Sequence, residues 1–315
     1  MNLRCLRVRL ELTVGADLSL PPFAVSTLRG GFGHAFRKVA CALRRPDCDG
    51  CPLIHECVYS YVFETPRPPD VALMRLYPTI PHPFVLAMQP VPRTVPEGHK
   101  ILVDLTLIGK AIKHLNFFVY AFEELGRLGL GRMRIPFRLT DVAVADPHGA
   151  YRSAFAADTG DLAPHEPDLR LDISADPTAQ RPGRAIIEFV TPTRMKADGR
   201  TDGDIPFPVL IKTLMRRLRA LAAFHHDGTV HEYPARELIP IAESVSSAGK
   251  LRFVPLERFS YRQKQRFNMD GFVGVKTYEG NLGPFLNLLR AGEVVHVGKG
   301  TAFGQGQYRI KELTL

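Results

Sequence analysis

Several features are scarce in this sequence, and their scarcity excludes whole classes of protein. No apolar run approaches the roughly 20 residues that a helix needs to cross a bilayer. The opening MNLRCLRVRLELTV alternates arginine with apolar residues and is unlike a secretory signal peptide. We therefore expect a cytoplasmic protein with no membrane partner, in a reducing compartment where a disulfide framework does not persist.

Acidic residues are outnumbered by basic ones, which bears on the partner. The chain has 41 lysines and arginines against 32 aspartates and glutamates, a net charge of +9. This excess favours a polyanionic partner, and nucleic acid is the leading candidate, although charge alone does not separate RNA, DNA and anionic membrane. A length of 315 residues exceeds one ordinary core and predicts two domains.

The periodicity of apolar residues predicts a similar order of elements in both halves of the chain. In the first half we predict strands at 3–14, 83–91, 100–109 and 137–145, and helices at 26–43 and 111–125. In the second half we predict strands at 168–174, 184–192, 251–262, 266–278, 293–297 and 307–314, and helices at 206–225 and 282–290. This order is ferredoxin-like. It predicts an α+β fold with two tandem ferredoxin-like domains, 1–160 and 161–315, the second with a glycine-rich loop at 298–306.

The first predicted helix has an apolar face and a polar face. Its apolar stripe consists of Leu28, Phe32, Ala35, Phe36, Val39 and Leu43, and Ser26 is a suitable N-cap. His34, Arg37, Lys38 and Cys41 fall on the opposite side, with Lys38 one turn from His34. Gly30, Gly31 and Gly33 each cost the helix about 0.8 to 1 kcal/mol relative to alanine. Three such glycines indicate a close approach to the backbone.

Three further segments suit contact with RNA. The 206–225 helix carries Lys212, Arg216 and Arg219 on one side and Leu210, Leu214, Leu218 and Leu221 on the other. The segment RFSYRQKQRFNMDGF mixes aromatic rings with Arg258, Arg262, Lys264 and Arg266. The loop GKGTAFGQG offers the backbone N–H groups of Gly298, Lys299, Gly300, Gly304 and Gly306 to phosphates. A solvated face or a tight turn is the alternative in each case.

Two stretches of the sequence resemble a known family. The run GFVGVKTYEGNLGPFLNLLRAGEVVHVGKGTAFGQGQYRI and the segment STLRGGFGHAFRKVAC are similar to the CRISPR-associated endoribonucleases of the RAMP superfamily. The resemblance implies a tandem ferredoxin-like fold with a basic cleft between the domains for CRISPR repeat RNA. It also implies metal-independent cleavage that leaves a 2′,3′-cyclic phosphate and a 5′-hydroxyl. Other CRISPR effector subunits are potential further partners.

That reaction requires proton transfers and stabilisation of charge at phosphorus. His34 is our candidate for proton transfer, in keeping with the family's catalytic histidine in or just after the first helix, and Lys38 for charge stabilisation. A solvated surface histidine is the alternative interpretation. Several family members pair the histidine with a nearby tyrosine, whereas no tyrosine precedes Tyr59 in this chain. Arg37 could replace Lys38 in the second role, or His34 could act without a partner.

Four of the five cysteines lie in CALRRPDCDGCPLIHEC, residues 41 to 57. Structural zinc sites usually combine two close pairs of ligands, whereas Cys41, Cys48, Cys51 and Cys57 contain one, in the spacing C-x6-C-x2-C-x5-C. The loop resembles the [4Fe-4S] loop of endonuclease-III-type DNA glycosylases. We predict a structural [4Fe-4S] site, with zinc or a metal-free loop as alternatives, and no cofactor required for cleavage. Arg37, Arg44 and Arg45 would contact RNA phosphates.

Two other functions fit parts of the sequence. An iron-sulfur DNA glycosylase would need a helix-hairpin-helix segment and helical periodicity, and the sequence has neither. A non-catalytic RAMP subunit that binds CRISPR RNA inside an effector complex differs from the enzyme in sequence only through His34.

Overall fold

The computed structural model describes residues 1–45, 47–69, 71–77, 79–156, 159–163, 169–195, 204–260 and 265–314, without the side chains of 259 and 260. None of the helices in these ranges is long and apolar enough to cross a membrane. The chain forms two compact units. The N-terminal unit comprises Arg4–Leu169 and Phe224–His226, and the C-terminal unit comprises Met1–Leu3, Arg170–Ala223 and Asp227–Leu315. The break after Leu169 lies beyond the predicted boundary at residue 160.

Four antiparallel strands form the scaffold of the N-terminal unit. They are β1 (Asn2–Val14), β2 (Phe84–Met88), β3 (Lys100–Ile108) and β4 (Phe137–Ala145), in the spatial order β2-β3-β1-β4. Leu6, Val8, Leu10 and Leu12 of β1 are all buried, as the two-residue period of a strand predicts. Leu10 lies opposite Val103 and Val142, so the centre of the sheet is apolar across three strands.

Two helices bury their phenylalanines together in the core of this unit. They are α1 (Ala24–Ala40) and α2 (Leu115–Leu128). The rings of Phe32 and Phe122 stack with centroids 4.5 Å apart, and Phe36 meets Phe118 edge-on at 5.1 Å. Burial of each such ring favours folding by about 1.5 to 3 kcal/mol. This packing holds α1 with its polar side outward.

Helix α1 differs from its prediction at both ends. It begins before Ser26, and the N-cap position is occupied by Phe23, which makes no side-chain capping bond. It ends at Ala40 because Cys41 has an extended backbone, with φ −82° and ψ 101°. Leu43, predicted to be buried, lies beyond this end and is 48% exposed, and Val39, in the last turn of the helix, is 36% exposed. The apolar stripe ends at Phe36.

The C-terminal unit repeats the strand order of the first. Its main sheet and its hairpin consist of β5 (Pro182–Thr193), β6 (Ser246–Ala248), β7 (Leu251–Val254), β8 (Glu257–Ser260), β9 (Gln265–Asn268), β10 (Gly271–Asn281) and β11 (Tyr308–Thr314). Both β6 and β7 pair with β10, which pairs with β5, and β5 pairs with β11. The helices are α3 (Phe207–His225), α4 (Ala235–Glu243) and α5 (Leu286–Val295). As predicted, Leu210, Leu214, Leu218 and Leu221 of α3 are buried.

Four predicted elements of this unit were wrong in extent or type. The strands at 251–262 and 266–278 each divide in two, and β8 and β9 form a separate hairpin. The helix predicted at 282–290 lies instead at Leu286–Val295, after a 3-10 turn at Gly283–Phe285. It includes most of the strand predicted at 293–297, and His296 ends it with φ 59°. The short apolar run at 293–297 fits the buried end of a helix as well as it fits a strand.

Candidate functional site

His34 lies on the exposed side of α1, while its neighbours Phe32, Ala35 and Phe36 are buried. Lys38, one turn further along, is also exposed but has a partner. Its Nζ is 2.5 Å from Oε1 of Glu124 on α2. The hydrogen bond from Lys38 lowers the pKa of Glu124, and Arg127 contributes to the same shift. The predicted charge stabiliser is thus engaged in a surface ion pair, one helical turn from His34.

The three glycines of α1 have different surroundings. A Cβ atom on Gly31 would lie 2.7 Å from Cδ1 of Leu125, and one on Gly33 would lie 3.2 Å from the ring of Phe63. Packing against protein therefore accounts for these two. A Cβ on Gly30 would meet no described atom within 4 Å. Gly30 is one turn before His34, so the helix backbone is open beside the candidate catalytic residue.

Arginines of α1 and of the loop itself hold the cysteine loop. The Arg37 guanidinium donates to the carbonyl of Arg45 at 2.6 Å and lies 5.4 Å from the ring centre of Tyr59, just after the last cysteine. Arg45 donates to the carbonyl of Asp49 at 3.3 Å. Arg37 and Arg45 thus stabilise the loop by hydrogen bonds to its backbone. Arg44 is exposed and takes a positive φ of 48°.

The four clustered cysteines are all half-buried. The loop folds through tight turns, with the N–H of Cys51 donating to the carbonyl of Cys48 at 3.3 Å and that of Cys57 to Leu53 at 2.8 Å. Across the part of the chain that the structure describes, no three histidine, cysteine or acidic side chains converge as ligands of one metal ion. The four cysteines are close in sequence, but their side chains do not converge on one point.

The positive face of α3 is partly neutralised within the C-terminal unit. Lys212 faces Glu243 at 3.5 Å, and Arg219 pairs with Glu232. Arg216 is exposed and makes no ion pair with the residues that the structure describes. Of the three predicted contacts to RNA, Arg216 is the most accessible to a phosphate.

The hairpin of β8 and β9 uses its two described arginines differently. Arg266 is exposed and pairs with Glu257 at 3.2 Å. Arg258 is half-buried, with its guanidinium carbon 4.2 Å from the ring centre of Phe303 and 5.2 Å from that of Phe267. Burial lowers the pKa of Arg258. The other two predicted contacts, Arg262 and Lys264, lie outside the described residues.

The glycine-rich loop satisfies much of its own backbone. The N–H groups of Lys299 and Gly306 donate to the carbonyls of Arg194 and Pro192, and that of Gly304 donates to Thr301. Gly304 and Gly306 are buried, so their N–H groups are not available to a phosphate, contrary to the prediction. A Cβ on Gly306 would lie 1.8 Å from the carbonyl oxygen of Val297. Close packing against Val297 accounts for the glycine at position 306. Lys299 is the exposed residue of this loop.

Gly298 and Gly300 are also limited by packing. A Cβ on Gly298 would lie 2.5 Å from the carbonyl oxygen of Arg194, and one on Gly300 would lie 2.1 Å from Oε1 of Gln305. Both have positive φ values, 83° and 71°. They are half-buried, so a contact from RNA to their backbone remains a prediction.

Two other histidines are buried and serve the fold. His296 donates from Nδ1 to the carbonyl of Gln305 at 3.2 Å, and burial lowers its pKa to about 3. His225 donates from Nε2 to the carbonyl of Pro81 at 2.7 Å, which leaves Nδ1 to accept from the Tyr61 hydroxyl at 3.2 Å. Sequence reasoning missed the pairing of Tyr61 with His225, because 164 positions separate them.

Two family models match parts of this chain. Residues 3–167 match the family model AF_1859_N, N-terminal domain, and residues 187–308 match the model of the CRISPR-associated endoribonuclease Cas6. An uncharacterized protein of Archaeoglobus fulgidus is 24% identical over 303 residues, 93% of either chain.

Solved structures show the same fold. The Cas6 (TTHB231) product complex superposes with a TM-score of 0.53 at 22% identity, covering 98% of this chain and 99% of that one. Thermus thermophilus Cas6 (TTHB231) also gives 0.53, at 18% identity, covering 97% and 98%. This likeness confirms the predicted tandem ferredoxin-like fold.

Proposed function

The chain belongs to the Cas6 family of CRISPR-associated endoribonucleases, with an AF_1859_N domain as its N-terminal half, and we propose that His34 transfers protons as this enzyme cuts precursor CRISPR RNA. The observation that supports this role is the exposure of His34 on a helix whose opposite face is buried. The open backbone at Gly30 gives a substrate room to approach it.

Cleavage proceeds by attack of a 2′-hydroxyl on the adjacent phosphate. The 2′-oxygen loses its proton and bonds to phosphorus, the bond from phosphorus to the 5′-oxygen breaks, and the 5′-oxygen gains a proton. Histidine can accept or donate a proton near neutral pH, so His34 serves one of these transfers. The products are a 2′,3′-cyclic phosphate and a 5′-hydroxyl, and no metal ion takes part.

Lys38 is suited to stabilise the charge that develops on the phosphate. Its side chain is 60% exposed, and its ion pair with Glu124 is a surface contact of the kind that contributes about 0 to 1 kcal/mol. A phosphate can therefore compete with Glu124 for the ammonium group. Arg127, 3.5 Å from Glu124, would remain to compensate that carboxylate.

The remaining cations would bind the repeat RNA. Arg44, Arg216 and Lys299 are exposed. Arg266 is exposed in a surface ion pair that a phosphate can displace. Arg37 and Arg45 would act mainly by shaping the cysteine loop, because both guanidinium groups donate to backbone carbonyls.

The reaction itself is tested by incubating the purified protein with its own repeat RNA in excess chelator. We expect cleavage at one position in the repeat, at the rate seen without chelator, because proton transfer and charge stabilisation come from side chains. The upstream product should carry a cyclic phosphate. In mass spectrometry its mass should be about 18 Da below that of the same product with an open monophosphate, because one water is lost. A repeat with a 2′-deoxy residue at the cut position is the matched control and should stay intact. Restoration of cleavage only by added magnesium would contradict the mechanism.

We also propose that the cysteine loop binds a structural metal. Four cysteines within seventeen residues supply thiolates, which are the preferred ligands of iron-sulfur clusters and of structural zinc. The proposal rests on this spacing and donor chemistry, because the described side chains do not converge. Cys41 directly follows α1, so a filled site would constrain the end of the helix that carries His34.

The metal content of the purified protein tests whether the cysteine loop binds a metal. Protein purified without oxygen should contain about four irons and four sulfides per chain for a [4Fe-4S] cluster, or about one zinc for the alternative. Cys48→Ser/Cys51→Ser should lose the metal, and Cys5→Ala, a change outside the loop, should keep it. Zinc without iron would contradict the cluster assignment, and a chain with neither metal would contradict the site.

A further inference from the structure

The β8-β9 hairpin and the glycine-rich loop at 298–306 are joined at several points within the C-terminal unit. The side-chain amide of Gln305, in the loop, donates to the carbonyl of Met269 at the base of the hairpin. Arg194 bridges the same elements, because its guanidinium donates to Asn268 at 3.4 Å and its carbonyl accepts from the N–H of Lys299 at 3.1 Å.

Arg258 makes a further contact between the hairpin and the glycine-rich loop. Arg258 and Phe267 are directly opposite in the β8-β9 register, so their side chains share one face of the hairpin. The guanidinium lies over the rings of Phe267 and Phe303, one from the hairpin and one from the loop. Cation–π contacts gain strength when the cation is removed from water, and Arg258 is half-buried.

We propose that Arg258 is a positioning residue that clamps the hairpin to the glycine-rich loop, rather than a cation that contacts RNA. Through this clamp the cations at the two sites, Arg266 and Lys299, keep a constant separation and can engage phosphates of one RNA strand together. The proposal rests on the proposed function, because those phosphates belong to the repeat RNA. It assigns Phe303, an apolar residue, a part in RNA affinity.

Several hydrogen bonds tie the base of the hairpin together. Asp270 accepts from the N–H of Leu256 at 2.6 Å and from the side chain of Asn268 at 2.5 Å. The N–H of Met269 donates to the carbonyl of Leu256 at 2.7 Å. These bonds close the ladder below β8 and β9, so a shift of Arg258 relative to Phe303 would move the whole hairpin.

Binding of repeat RNA to four variants tests the clamp. Arg258→Ala and Phe303→Ala should each raise the dissociation constant about tenfold, and the double variant should be no weaker than either single one. Arg258→Lys should resemble Arg258→Ala, because an ammonium group cannot stack on aromatic rings as a planar guanidinium does. Wild-type affinity in Arg258→Lys or Phe303→Ala would show that Arg258 acts as a simple charge and would overturn the proposal.

Hydrogen exchange without RNA separates failure of the clamp from failure of the proposed function. In Arg258→Ala and in Phe303→Ala, backbone amides of both 256–270 and 298–306 should exchange faster than in the wild type, while those of β1 are unchanged. Faster exchange in only one of the two segments would overturn the clamp, whatever the RNA result. Wild-type protein that neither binds nor cuts the repeat would instead contradict the proposed function.

Discussion

His34→Ala should lower the rate of repeat-RNA cleavage by about 10²- to 10⁴-fold, the range that general acid–base catalysis supplies. The side chain is exposed on α1, so its loss should leave folding intact. The dissociation constant for the repeat should stay within about twofold of the wild type, because proton transfer acts in the transition state. Single-turnover rates at saturating enzyme measure the effect without interference from product release.

A matched control separates this role from a general effect of removing a surface histidine. His148 is exposed in the same unit, and its N–H bond to Asp146 is made by the backbone. His148→Ala should therefore cleave at the wild-type rate. If His34→Ala does so too, proton transfer must be assigned to another residue.

Gly30→Ala should make the protein more stable and less active, a combination that packing defects do not produce. Alanine in place of a helical glycine raises the free energy of unfolding by about 0.8 to 1 kcal/mol. No described atom lies within 4 Å of the added methyl group, so the protein itself does not oppose it. If the open backbone admits RNA beside His34, we expect cleavage to fall about tenfold, as for a substrate displaced from its reactive position. Thermal unfolding and single-turnover cleavage of the same sample measure both effects.

Gly31 provides the comparison for this substitution. A methyl group there would lie 2.7 Å from Cδ1 of Leu125, so Gly31→Ala must displace that side chain and lose part of the gain in helix propensity. Gly31→Ala should be less stable than Gly30→Ala. Full activity in a stabilised Gly30→Ala would mean that RNA does not use the space, and the glycine would then have no explanation in the described structure.

The parts of the fold that were predictable are those in which local pattern and burial agree. Alternation in β1 and the leucine stripe of α3 identify both the element and its buried face, because a strand repeats every two residues and a helix every 3.6. The end of α1 was not predictable in the same way. Val39 and Leu43 continue the helical period, but Val39 is exposed in the last turn of α1, and Leu43 lies after the turn at Cys41.

Local sequence pattern also did not predict which basic residues form ion pairs or hydrogen bonds within the protein. Lys38 and Glu124 are 86 positions apart, and nothing near either of them indicates an ion pair. On α3, Arg217 stands between the predicted RNA contacts Arg216 and Arg219, yet it is buried and donates to the carbonyl of Val295. Charge density along a sequence indicates a polyanionic partner, whereas the partner of each cation depends on which distant side chain the fold brings to it.

The sequence by itself determined the fold class, the position of His34 on the polar side of the first helix and the cluster of four cysteines, because these follow from periodicity and spacing within short segments. Only the tertiary structure decided three further features: no neighbouring side chain packs on Gly30 whereas Gly31 and Gly33 are packed, Gly306 is closely packed, and Arg258 contacts the rings of both Phe267 and Phe303. Each of these depends on the distance to atoms from a distant part of the chain. Such distances arise from packing in three dimensions, which no local pattern encodes.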